Sequence, residues 1–148
     1  MKILLILHVC ASIVLLGSAT HNGIYTWRYT RGYYRNCDLQ KRYVSVLFYS
    51  YIVTFLLGLI IYPAFRVGVR PDFLDVLYPL ATGFFEAKEH LMALGMGLLL
   101  WYYPMSRKIE LHHPGALHTL YHFCGLVLMG VVWFGALTGL TLVSLKAL

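Results

Sequence analysis

Charge is scarce in this sequence. Only 12% of its 148 residues are Asp, Glu, Lys or Arg, where a soluble domain carries roughly 25%. That shortage excludes an ordinary water-exposed surface over most of the chain. Cysteine is also rare: Cys10, Cys37 and Cys124 are odd in number, widely spaced and form no CxxC pair. A disulfide framework and a cysteine zinc site are therefore excluded as organising features. No inverted repeat is visible, so the chain lacks the internal symmetry on which many transporters are built. The net charge of +6 is not a nucleic-acid footprint. Its Lys and Arg residues fall mainly in short segments between apolar blocks, where they orient a membrane protein and meet anionic headgroups.

What is present is apolar sequence, 59% hydrophobic and 16% aromatic, in four blocks of about 20 residues. That length spans about 30 Å of hydrocarbon. The expectation is an all-α integral membrane four-helix bundle of up-down topology, a single domain over residues 1–148 with spans near 3–27, 43–65, 76–103 and 116–145. Met1-Lys2, the apolar run Ile3–Leu16 and Gly17-Ser18-Ala19 have the features of a secretory signal peptide; the expectation is that they are retained as the first span. Its polar stripe is His8, Ser12, Ala19, Asn22 and Thr26, interrupted by Leu15. The second span is expected to end at Pro63 and to act as scaffold. The tract Trp27–Tyr43 is basic and tyrosine-rich, which suits the headgroup level as a lipid or subunit contact. The first and third connections hold Arg28, Arg31, Arg35, Lys41, Arg42, Arg107 and Lys108, against Lys2, Arg66, Arg70 and Lys146 elsewhere outside the spans. The positive-inside rule then places both termini outside the cytoplasm, in a bacterial inner membrane.

The third span carries the chemistry. Ala81–Trp101 is long enough to cross a bilayer yet contains Glu86, Lys88, Glu89 and His90. At about 100° per residue Glu86, His90, Ala93 and Gly97 share one stripe, Glu89 lies on its shoulder and Lys88 is nearly opposite. Ionisable groups at membrane depth face a bundle interior, a partner or a water cavity. Glu86 and Glu89 are expected either to pair with a cation, Lys88 or an Arg, or to be neutral and handle protons.

On the last span His118, His122, Gly125, Met129 and Ala136 form a stripe. Gly135 and Gly139, four apart, permit close helix contact. At about 1.5 Å per residue, measured from the outer face, His8 lies roughly 8 Å down, His90 roughly 16 Å and His122 roughly 20 Å. Two histidines from facing helices at similar depth are what a b-type haem requires. Small residues beside them (Ala93, Gly97, Gly125) leave room for a macrocycle. His90 with His122 is the expected metal-ligating pair, His8 with His90 an alternative, and His21 with His118 a third. His112-His113 is read as a solvated pair in a surface loop.

The run Leu7-His8-Val9-Cys10-Ala11-Ser12-Ile13-Val14-Leu15-Leu16-Gly17 resembles the opening of a superfamily of small haem-associated membrane proteins. It includes the CopD-type copper-resistance domain and the HemJ-type protoporphyrinogen oxidase. The resemblance implies four helices and a haem-ligating role for His8; the oxidase activity is not carried over. Together these readings make the chain a haem-b-binding electron-transfer subunit of a respiratory or redox complex, with other membrane subunits and the lipid bilayer as partners. The alternatives are a cofactor-free accessory subunit and, third, a proton or metal-ion permease using Glu86, Glu89 and His90. Catalysis by the chain alone is not expected.

Overall fold

In lipid every backbone N–H and C=O must be satisfied within the protein, which leaves apolar segments of this length helical. The computed structural model describes residues 2–110 and 115–147, with side chains as far as residue 145, and among these there is no strand. Helix α1 runs Lys2–Thr30, α2 Cys37–Gly68 and α4 Pro79–Lys108; α5 runs Ala116–Ala147. Between α2 and α4 lie a π-helical turn, Arg70–Leu74, and the one-turn α3, Asp75–Leu77. The pair His112-His113 falls outside the described residues.

Helix α1 packs on α2 and α5, and α4 packs on the same two, so the four long helices close into a ring. Helices α1, α2 and α5 are each long and apolar enough to cross a membrane. Helix α4 is equally long, but Glu86, Lys88 and Glu89 keep it below that level of apolarity. The outer faces carry exposed aliphatic side chains such as Ile6, Ile13, Leu56, Leu59 and Leu140, the surface a bilayer covers.

The helices outrun the expected spans because hydropathy marks the bilayer and not the last hydrogen bond. Pro63 was expected to end the second span; it lies inside α2, as Pro104 does inside α4. Each is exposed, so the one missing backbone donor disturbs no packed surface. Helix α1 ends at Gly32, whose φ of +82° suits a residue without Cβ. The N–H of Tyr33 reaches back to the Arg28 carbonyl at 3.1 Å and that of Gly32 to Tyr29 at 3.0 Å, the paired bonds of a Schellman cap.

The core is a column of Leu15, Ala19, Leu47, Tyr51, Leu99, Leu128 and Val132, all buried. The expected inward stripes of α1 and α5 hold: Ala19, Asn22 and Thr26, with Leu15, are buried, as are His122 and Gly125. Gly135 brings α5 against α4, where a methyl group would lie 3.0 Å from Met92 Sδ; Gly139 faces open space.

Candidate functional site

Helix α4 turns a different face inward from the one its charges suggested. Its buried positions are Thr82, Phe85, Gly95, Leu99, Tyr102 and Ser106. The stripe Glu86, His90, Ala93 and Gly97 is exposed along its length. Lys88 is the ionisable residue that turns toward the bundle, with Nζ 4.7 Å from the centroid of the Phe85 ring. Glu89 is half-buried beside it.

Glu86 accepts a hydrogen bond from the Arg70 guanidinium, so the ion-pair reading of this carboxylate is the one the geometry builds. Arg70 also meets Asp75 at 3.4 Å, and Thr82 Oγ1 donates to the same carboxylate at 2.9 Å. The bond to Glu86, first, and the neighbouring carboxylates hold the Arg70 guanidinium above its ordinary pKa. His90 Nδ1 lies 2.8 Å from the Glu86 carbonyl oxygen. A carbonyl only accepts, so Nδ1 carries the proton and the lone pair of the neutral ring sits on Nε2, facing out of the bundle.

His122 is almost fully buried, 3% exposed. Its ring is 5.9 Å from that of Tyr29 and 5.7 Å from that of Tyr121. Neither nitrogen has a hydrogen-bond partner among the described residues. His8 lies toward the other end of the bundle. A methyl group on Gly58 would stand 3.5 Å from its Cε1, and its Nδ1 has no partner among the described residues.

These placements separate His122 from the other two expected haem ligands. Along α1, His8 is 21 residues from Tyr29, the neighbour of His122, which is about 32 Å. His90 is on the outside of the ring while His122 is inside it. The space beside Gly125 that a macrocycle was expected to use is filled: a Cβ there would be 2.6 Å from Tyr102 Oη and 3.0 Å from Thr26 Oγ1. His90 with His122 therefore builds no haem site inside this bundle, and His90, exposed on the outside of the ring, does not share the interior that His8 partly enters. The third pair is also apart: Trp133 Nε1 donates to Thr20 Oγ1 beside His21, and Trp133 is 15 residues, about 22 Å, along α5 from His118. No group of three or more His, Cys, Asp or Glu side chains fit to hold a metal ion is found among the described residues.

One feature of the interior was not expected. Gln40, inside the tract read as an interface contact, is fully buried four residues beyond Asn36. Its Nε2 donates to Asn22 Oδ1 at 2.8 Å and to Tyr121 Oη at 3.1 Å. Tyr102 Oη donates to Asn22 Oδ1 at 3.3 Å and its ring stacks on Tyr121 at 4.4 Å. This network joins all four long helices. Its one sequence signal was Asn22 on the polar stripe of α1. No protein-family model, curated protein or solved structure matches this chain.

Proposed function

We propose that the protein is an integral membrane subunit whose four long helices cross a bacterial inner membrane up and down, termini outside, and whose α4 docks on another membrane subunit. The carrying observation is the outward stripe of α4, on which Gly83, Glu86, Ala87, His90, Ala93 and Gly97 are all exposed. An ionisable group against acyl chains at mid-bilayer costs roughly 2.5–3.5 kcal/mol on insertion scales. His90 stands about 16 Å beyond Pro79, near mid-depth. A protein surface that donates hydrogen bonds to Glu86 and to His90 Nε2 removes that cost. Gly83 with Ala87, and Ala93 with Gly97, are four apart, the spacing that lets a second helix approach closely.

The test uses a variant without Cys10, Cys37 and Cys124, carrying single cysteines at Ala93 or Gly97. Cross-linking in native membranes is expected to join these positions to a different polypeptide, while cysteines at Ile13 on α1 or Leu56 on α2 give no adduct. Equal reactivity of all four with a lipid-phase reagent, and no adduct at any, overturns the reading.

One observation favours a second reading. The Nδ1–H to carbonyl bond of His90 is the arrangement that orients a metal-ligating imidazole, leaving Nε2 for the metal. A haem b at the subunit boundary would take His90 from this chain and its other axial ligand from the partner, making the chain part of an electron-transfer complex. The reduced α band of the purified complex is then expected to vanish in His90→Ala and to survive in His8→Ala and His122→Ala. A complex without the band ends this second reading and leaves the docking role standing.

A further inference from the structure

A cleft of about 710 Å³ lies where the chain leaves α1. Arg28, Arg31 and Arg35 line it together with Trp27, Tyr33 and Asn36, and no acidic side chain does. Among the described residues the carboxylate salt bridges are those of Arg70, so none pairs with these three guanidinium groups. We propose that this cleft binds a phosphate group, either that of an anionic phospholipid headgroup or that of a soluble phosphate ester.

The argument begins with the chain path. The Schellman cap at Gly32 reverses the backbone tightly after the last turn of α1, so that Arg28 on the helix and Arg31 and Arg35 beyond it border one concavity. Tyr29 Oη donates to the Arg35 carbonyl at 3.1 Å, which ties the far side of the loop to the buried core. The site is thereby formed before any ligand arrives. Like charges gathered on one concavity repel, and an anion between them removes that repulsion. Guanidinium groups present planar forks of N–H donors that match phosphate oxygens in pairs. The Arg31 guanidinium lies 4.7 Å from the centroid of the Trp27 ring. Stacking of this kind holds the plane of the fork while its edge donors stay free. The amino end of α2, starting at Cys37 immediately after Asn36, adds positive potential on the same side.

Position favours a lipid as the source. The cleft caps the end of a helix apolar enough to cross a membrane, and its Trp and Tyr walls belong at headgroup level. Basic pockets at helix ends on the cytoplasmic side take anionic headgroups. A phosphate ester in the adjoining water would meet the same donors, so the experiment separates the two.

The full chain in a neutral detergent is titrated with phosphatidylglycerol, phosphatidylcholine or glycerol phosphate, and bound adducts are read by native mass spectrometry. Phosphatidylglycerol is expected to bind at least about tenfold more tightly than phosphatidylcholine, given roughly a fewfold per basic side chain at a membrane surface. Arg28→Gln, Arg31→Gln and Arg35→Gln combined should erase that preference, and Arg31→Lys, which keeps the charge but loses the fork, should weaken it. Arg66→Gln and Arg107→Gln, at sites outside the cleft, should leave it intact. Binding by glycerol phosphate with the same dependence on the three arginines assigns the soluble source; binding by phosphatidylglycerol alone assigns the headgroup. Equal retention of both lipids by the parent protein, unchanged preference in the folded triple variant, or equal loss in the Arg66 and Arg107 controls overturns the proposal.

Discussion

Gly95→Val is expected to abolish assembly of the bundle, and Gly95→Ala to cost about 3 kcal/mol or more. Gly95 is buried on the inward face of α4. A Cβ there would stand 2.4 Å from Tyr51 Oη, 3.3 Å from its Cζ and 3.0 Å from Val131 Cγ1. Tyr51 cannot swing aside cheaply, since it is fully buried and its hydroxyl donates to the Met92 carbonyl at 2.8 Å. Forcing a methyl group into a packed interior costs typically 1–3 kcal/mol. Breaking the tyrosine bond leaves a buried donor unmet, about 1–3 kcal/mol more. Gly97 is the internal control, because a Cβ there meets nothing within 4 Å. Reversible unfolding in mixed micelles should show Gly97→Ala within about 0.5 kcal/mol of the parent. On the docking reading, Gly97→Val should leave the bundle folded while releasing it from its partner. A Gly95→Ala variant as stable as the parent would show that the close contact with Tyr51 does not exist.

Gln40→Leu is expected to destabilise the bundle by about 2 kcal/mol, unusual for one polar side chain in a membrane helix, where interhelical hydrogen bonds average about 0.6 kcal/mol. The size follows from position. Gln40 is fully buried and bridges Asn22 and Tyr121, so its loss takes a donor from acceptors on two other helices at once and leaves Asn22 Oδ1 with only the longer bond from Tyr102. Asn22→Leu alone should cost a similar amount. Combined, the two should cost clearly less than their sum, because paired removal leaves no orphan at their shared bond. Strict additivity of the two substitutions in the same unfolding assay would mean that this bond contributes nothing.

Helices α1, α2 and α5 were legible in the sequence because block length and apolarity answer directly to bilayer thickness. The ends of α1, α2 and α4 were less so: Thr30, Gly68 and Lys108 lie in polar or proline-containing sequence into which the helix continues. The inward faces of α1 and α5 were read correctly from Asn22, Thr26, His122 and Gly125. The same rule inverted α4. Placing polar residues inside presumes that a membrane helix has one surface away from lipid. Glu86 and His90 instead mark a surface outside the ring, while Phe85, Leu99 and Tyr102 fill it. Depth also misled, because the counts presumed a span of about 30 Å, whereas α1, α4 and α5 run 29, 30 and 32 residues, about 44 Å or more. Gln40 was hidden for a related reason, as the tract from Trp27 to Tyr43 was read as one basic interface although α2 begins within it.

The two polar ends of the interior are separated by a long dry stretch. From His8 to Asn22 on α1, and from Thr54 to Gln40 on α2, there are 14 residues, about 21 Å. Between them Ser18 donates to Leu15, Ser50 to Val46 and Tyr51 to Met92. The rest of the column is aliphatic or thioether. On the membrane-spanning reading, much of a transmembrane voltage would fall across this layer. A unit charge crossing the full potential exchanges about 2.3 kcal/mol per 100 mV, but here it would first have to enter a medium with no relay of donors and acceptors. A permease route through Glu86, Glu89 and His90 accordingly has no continuation inside the ring. On the docking reading, any ion current would have to run along the outside of α4.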